Sequence, residues 1–351
     1  MIAFTYQALP SRVVFRVGAL ADLPGELAKI GARALVLSTP EQAPLADAVA
    51  TKLGGRAVGV YARAVMHVPL ATAAEARDLA KRLGADCCVA VGGGSTIGLG
   101  KAIALEYGLP ILAVPTTYAG SEMTPIWGLT EGSLKRTGRD LKVLPRTVIY
   151  DPELTLSLPA ALSGVSGLNA IAHCVEALYA QDANPIMSLM AEEGIRALAV
   201  ALPAIVDNPS DIEARGKALY GAWLAGTALG SVGMALHHKL CHTLGGAFGL
   251  PHAETHAILI AHVAAYNRDH AKAPLARVAA ALGAADAGSG LYDLAVRVGA
   301  RTALKDLSFS RTDIDKAAEL ATQNPYYNPR PVTREGIIAI LNDAVEGRRP
   351  V

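Results

Sequence analysis

The sequence predicts an α/β fold: an N-terminal domain on a parallel, Rossmann-like sheet, residues 1–155, followed by an all-helical C-terminal domain, residues 156–351. Three observations predict it. The chain has 351 residues, enough for about two domains. Its first part alternates short apolar runs with amphipathic helical stretches, the pattern of a parallel sheet covered by helices on both faces. After Asp151-Pro152 the alternation stops, and from Pro159 onward Ala- and Leu-rich segments of helical period dominate.

Taken in order, R-A-L-V-L-S at 33–38, D-C-C-V-A-V at 86–91, P-I-L-A-V-P at 110–115 and T-V-I-Y at 147–150 read as strands. Each is short, apolar and bounded by Gly, Pro or polar residues, as strands buried on both faces are. A-T-A-A-E-A-R-D-L-A-K-R-L at 71–83 reads as a helix between them. V-G-G-G-S-T at 91–96 leaves a strand and enters a helical pattern, 97–106. Glycines there let a ligand approach the backbone, and the helix N-terminus offers free N–H groups to a phosphate. It is neither a P-loop, since residue 102 is Ala, nor G-x-G-x-x-G, since residue 97 is Ile. P-T-T-Y-A-G-S-E at 115–122 is a second polar turn at the carboxyl edge of the sheet, where Thr116, Thr117 and Ser121 are placed to hydrogen-bond a cofactor.

Composition narrows the function. Apolar residues are 52% and charged residues 18%, so the chain is globular rather than disordered. The formal net charge is +1 with no basic run, which excludes the electrostatics of nucleic-acid or anionic-membrane partners. Cys87, Cys88, Cys174 and Cys241 form no C-x-x-C spacing, so reduced thiols in a cytoplasmic protein are expected. The N-terminus has no signal-peptide pattern. Residues 218–236 carry no charge, but four glycines dilute them, and a buried core helix is expected.

The second half carries the chemistry. Five of nine histidines fall between 237 and 256: His237, His238, His242, His252 and His256. His238 and His242, four apart, share a helix face, as do Asn169 and His173 upstream. Asn169, His173, His238 and His252 are expected to converge. His237 is assigned to packing, and His256, His262, His67 and His270 to structure or surface. Such a density of imidazoles points to a functional site. Whether it holds a metal is open from spacing alone, because three histidines suffice for zinc while an anionic ligand is missing.

Together these segments resemble the iron-containing alcohol dehydrogenase family, nearly end to end. The resemblance lies in V-V-F-R-V-G-A-L at 13–20, G-A-D-C-C-V-A-V-G-G-G-S at 84–95 and P-T-T with G-S-E at 115–122. It continues through D-P-E-L-T at 151–155, the His173 helix and H-x-x-x-H-x-L-G-G-x-x-x-L-P-H at 238–252. Within the family, G-G-G-S-T-I-G-L-G-K-A, P-T-T-Y-A-G-S-E-M-T-P-I-W-G, S-G-L-N-A-I-A-H and H-H-K-L-C-H-T-L-G-G are similar to the branch that reduces maleylacetate to 3-oxoadipate in bacterial breakdown of aromatic compounds.

The resemblance implies a dehydroquinate synthase-like architecture with NAD(P) between the domains. It assigns Gly93, Gly94 and Ser95 to the pyrophosphate, with Thr116 and Thr117 in the next cofactor turn. Tyr118 and Ser121 belong near the nicotinamide, and Ser38 and Thr39 near the adenosine ribose. Metal-dependent members bind iron or zinc through an Asp and three His, and the corresponding positions here are Asn169, His173, His238 and His252. Asn169 removes the only anionic ligand, so no metal is expected and Asn169 is assigned to substrate. Two further departures are Gly98 and Thr39, at or near positions where the family often has Asp. With Ser38 and Thr39 neutral, NADH use with NADPH tolerated is expected.

The implied reaction is hydride addition to a carbon–carbon double bond conjugated to a ketone, with negative charge moving onto an enolate oxygen. His242 and His238 are expected to stabilise or protonate it, with His173, His252 and Lys239 lining the pocket. The partner is then a small dicarboxylate, for which Lys135, Arg136 and Arg139, in a charged turn between the domains, are candidates. A cytoplasmic homodimer is expected. The alternatives are a metal-dependent alcohol or glycerol dehydrogenase of the same family, a dehydroquinate-synthase-like lyase and a non-catalytic NAD-sensing module.

Overall fold

The computed structural model describes residue 4, residues 6–9, 11–131 and 134–350, the side chains of 134 and 135 excepted. The chain divides into two compact units, Leu9–Leu158 and Pro159–Val351, the second together with Met1–Ala8.

The first unit runs β1 (Arg12–Phe15), α1 (Leu23–Leu27), β2 (Ala34–Leu37), α2 (Ala43–Leu53), β3 (Ala57–Tyr61), α3 (Leu70–Leu83), β4 (Cys87–Gly92), α4 (Gly94–Tyr107), β5 (Ile111–Pro115), β6 (Ile126–Glu131), β7 (Leu134–Arg139) and β8 (Thr147–Tyr150). Six strands form one parallel sheet in the order β1-β8-β5-β4-β2-β3. The four runs read as strands are its interior, and every residue of β2, β4, β5 and β8 is buried. The two edge strands carry no comparable signal, because they are less covered: β1 has exposed ends and β3 is only half-buried up to Tyr61. Strand order reverses between β2 and β4, so the turns leaving β2, β4 and β5 lie side by side at the carboxyl edge.

Residues 126–139 correct the sequence reading. They form an antiparallel hairpin, β6 with β7, rather than a charged turn. Trp127 pairs with Gly138, and a side chain at 138 would lie 2.7 Å from the indole, so the ring covers the glycine. Glycines and charged residues, Gly128, Glu131, Arg136, Gly138 and Arg139, break the apolar alternation of its strands, so the hairpin leaves no periodic trace. Asp151 explains why D-P-E-L-T follows the last strand. Its buried carboxylate accepts from the backbone N–H groups of Gly18, Leu20 and Glu153, joining two distant segments.

The second unit is helical: α5 (Ala160–Leu178), α6 (Pro185–Asp207), α7 (Ile212–Ser231), α8 (Leu236–Phe248), α9 (His252–Asn267), α10 (Lys272–Leu282), α11 (Ala287–Arg297), α12 (Ile314–Thr322) and α13 (Arg334–Glu346). α5 is buried along most of its length and packs on α6, α7 and α9. Residues 218–236 are not one helix. α7 stops at Ser231, the chain bends by 94°, and α8 starts at Leu236. The glycines allow close helix crossing: a side chain at Gly221 would lie 2.7 Å from Leu198 and 3.1 Å from the Gly194 carbonyl. No single helix among the described residues is long and apolar enough to cross a membrane. A core of Leu236, Leu240, Leu244, Leu259, Val263, Phe309 and Leu341 holds α8 and α9 against α12 and α13. It sets the register of the histidine-bearing helices.

Candidate functional site

Two groups of residues carry the chemistry, one in each unit. In the first unit the turns after β2, β4 and β5 gather Ser38 and Thr39, Gly92 to Ser95, and Thr116 to Ser121. Gly92 takes φ 149°, and a side chain there would strike Thr96 and Gln42 at 2.5 and 2.7 Å. A side chain on Gly93 would meet Thr117 at 2.8 Å, whereas Gly94 faces open space. The N-cap of α4 is Gly93, which offers no side-chain cap, so the first-turn N–H groups of the helix point outward without a helical partner. This is the donor set a pyrophosphate needs, and the residues fit a dinucleotide.

The neighbouring turns are braced from within. Gln42 donates to the Thr116 hydroxyl at 2.8 Å, linking the turns after β2 and β5. Lys101 is buried, and its ammonium donates to the Ser121 carbonyl, the Thr124 hydroxyl and the Ile126 carbonyl at 2.7, 2.9 and 2.8 Å. The G-K pair therefore serves the fold of the second turn, not a phosphate. Burial lowers the Lys101 pKa to about 7, against the pull of the buried Glu122 carboxyl, which receives the Tyr150 hydroxyl at 2.7 Å. Tyr118 and Thr116 are buried and Ser38 turns its hydroxyl to the Thr39 carbonyl, while Thr117, Ser121 and Thr39 remain half-exposed. At Gly98 a side chain would meet Val68 at 2.8 Å. Val68 itself sits at φ 45°, so this corner has no room for an acid without a backbone shift.

In the second unit α5, α8 and α9 bring six imidazoles together. His173 Nδ1 lies 2.9 Å from His238 Nε2. The His238 ring centre is 6.2 Å from that of His242, and His242 stacks on His252 at 6.2 Å. His252 lies 4.3 Å from His256, which is 5.0 Å from His238 and 4.7 Å from His237. His237, expected to be packed, and His256, expected to be structural or exposed, are both fully buried inside the cluster. Burial first, and then the neighbouring imidazoles, holds both well below the usual histidine range. His242 is exposed and His252 half-buried, so these two form the accessible side of the cluster.

Asn169 and His173 are both buried on α5. The Asn169 Oδ1 atom has no hydrogen-bond partner among the described residues. Glu176 is the residue that sequence reasoning missed. It is fully buried, and its carboxylate accepts from the backbone N–H of Ala235 and His237 at 2.9 and 2.7 Å and contacts His238 Nδ1 at 2.7 Å. An ionised carboxylate only accepts, so His238 donates from Nδ1, and a neutral ring then accepts at Nε2 from His173 Nδ1. The signal for Glu176 is its spacing, three residues after His173 and hence on the same face. The Lys239 ammonium lies 5.7 Å from the centre of the Tyr326 ring. Arg139 is exposed on β7, Arg136 pairs with Glu131 at 3.3 Å, and the Lys135 side chain lies outside the described residues.

A divalent ion fits the Asn169, His173, His238 and His252 set poorly. All four donors are neutral, so none of them offsets the charge of the ion. Among the described residues, the group with three ligand atoms within 4.8 Å of one another is instead His237, Cys241 and His256.

Comparison with known proteins follows the same division. Residues 10–152 match the profile of iron-containing alcohol dehydrogenase, and residues 164–345 match that of the Fe-containing alcohol dehydrogenase family, C-terminal. The chain is 59% identical to maleylacetate reductase of Burkholderia cepacia over 351 residues, covering 100% of both chains. It is 58% identical to maleylacetate reductase of Sphingobium indicum, covering 99% of each. The crystal structure of maleylacetate reductase from Agrobacterium tumefaciens superposes with a TM-score of 0.96 at 54% identity, covering 100% of both chains.

Proposed function

This chain belongs to the iron-containing alcohol dehydrogenase family, and from that premise we propose that it reduces the conjugated carbon–carbon double bond of maleylacetate, giving 3-oxoadipate. The observation that carries the reading is a histidine cluster that holds Asn169 where metal-dependent members have Asp, in a chain whose other unit carries a phosphate-binding glycine turn. Relatives above half identity over their full length bear the name of that activity.

NADH, when bound, supplies the hydride. The Gly93–Ser95 turn holds its pyrophosphate, with Thr116, Thr117 and Ser121 beside it. Glu41 supports NADH over NADPH. Its own backbone N–H and the Thr39 hydroxyl keep its carboxyl below the usual range, so an anion stands at the end of β2, where it favours a ribose hydroxyl and repels a 2′-phosphate. Hydride addition to the alkene moves an electron pair onto the ketone oxygen of the substrate. His242, on the accessible side, donates the proton that completes reduction, and His252 beside it stabilises the enolate, while Glu176, His238 and His173 form the hydrogen-bonded chain that braces them. The Asn169 amide, whose Oδ1 has no partner among the described residues, offers its N–H₂ to the substrate. Lys239, on the same helix, is the cation for one carboxylate, and Arg139 and Lys135 are the others proposed. No step passes through a metal. Exposed Leu162, Ile186, Leu189 and Val200 on the helical unit support a homodimer, and the buried free thiols support a cytoplasmic setting.

The test is NADH oxidation with maleylacetate, with and without a strong chelator, in wild type and His242→Ala. Chelator-insensitive turnover, falling by at least about 100-fold in the variant, is expected. Turnover that is absent, or abolished by the chelator, defeats the reading.

A further inference from the structure

We propose that His237, Cys241 and His256 form a binding site for a soft, thiophilic monovalent cation such as Cu(I), lying behind the accessible histidines and sharing no residue with the family's metal position. The proposal rests on side-chain geometry and is independent of the reaction above.

One ligand atom of each residue lies within 4.8 Å of the other two. The side chains are 0%, 2% and 0% exposed, so water does not compete for them. His237 and Cys241 are four apart on α8 and share a face, while His256 enters from the second turn of α9. His237 Nε2 stands 2.9 Å from His256 Nδ1 and 3.7 Å from Cys241 Sγ. Ordinary bond lengths of about 2.05 Å to imidazole and about 2.3 Å to thiolate, at angles of roughly 90–120°, separate two nitrogens by about 2.9–3.6 Å and a nitrogen from sulfur by about 3.1–3.8 Å. Both observed separations fall inside those windows.

The surroundings select the ion. Acting as ligands, two neutral imidazoles and one thiolate carry a single negative charge. Binding forms a sulfur–metal bond and breaks the S–H bond, the proton leaving to solvent. A monovalent ion exchanged for that proton leaves the buried site uncharged, whereas a divalent ion leaves a positive charge there. Thiolate with imidazole is a donor set that soft ions prefer.

The experiment titrates the full-length, reduced protein anaerobically with Cu(I) held by a coloured competing chelator, in wild type, Cys241→Ala and Cys241→Ser. Wild type is expected to withdraw one equivalent, with affinity falling at least about 100-fold in either variant. The serine variant keeps the site's volume if alanine destabilises the fold. X-ray absorption of the one-equivalent complex is expected to show one sulfur and two nitrogens around copper. The proposal is overturned if wild type withdraws no copper, if the variants bind as tightly as wild type, or if the copper shell contains no sulfur.

Discussion

Asn169 decides the character of the site. An acid at this position would give the histidines an anionic partner for a divalent ion, and the amide does not. Asn169→Asp is therefore expected to raise Zn(II) or Fe(II) affinity by at least about 100-fold. Without metal the same variant buries an unpaired carboxylate beside His173, in a position that is 4% exposed, which destabilises the fold. Thermal melting with and without chelator checks both. The expected result is a lower Tm in chelator, recovered by zinc, and equal melting in both conditions would refute the argument. Glu176 and His256 show why residue types alone under-describe the site. Glu176 stands inside the segment that announces His173, yet its partners, Ala235, His237 and His238, lie about sixty positions away in sequence.

At the scale of the element, α8 depends on α5. Its N-cap, Ala235, has no side chain able to cap it, and the Glu176 carboxylate takes that place by accepting first-turn N–H groups. A buried anion there also faces the positive end of the helix dipole. Glu176→Gln keeps an oxygen for one N–H but loses the charge, and its N–H₂ group can oppose His238 Nδ1–H. The variant should lose about 1 kcal/mol of stability and at least about 10-fold in kcat/KM, because the His238 tautomer is no longer dictated. Steady-state kinetics beside a urea melt separate the two effects. Unchanged kcat/KM would remove Glu176 from the site. In the other unit Lys101 does for the Ser121 turn what Glu176 does for α8. Each is one buried charge tying a catalytic or cofactor segment to a neighbouring helix.

For the whole molecule, acid should be the weak point. Burial lowers the His262 pKa to about 4 from 6.5, with Asp343 pulling the other way, and holds His237 and His256 well below the usual range. Unfolding returns each ring to near its ordinary value, so between pH 6.5 and 4 the unfolded chain binds more protons than the folded one. Stability then rises with pH across that window and is lost on acidification, by about 3 kcal/mol for His262 alone. Urea unfolding at pH 6.8 and 4.5 is expected to show the loss, with a shallower dependence in His262→Gln, and parallel slopes would contradict it. The sequence by itself determined the two-part architecture, the four interior strands, the glycine turn and the gathering of Asn169, His173, His238, His242 and His252 onto helices. Those features are local: strand burial writes apolar runs, helices write their period, and phosphate turns write glycines. Only the tertiary structure decided the edge strands, the β6–β7 hairpin, the break before α8, the burial of His237 and His256 beside Cys241, and the role of Glu176. Each of these depends on a partner brought close by packing, and neighbours in space leave no periodic signal in the chain.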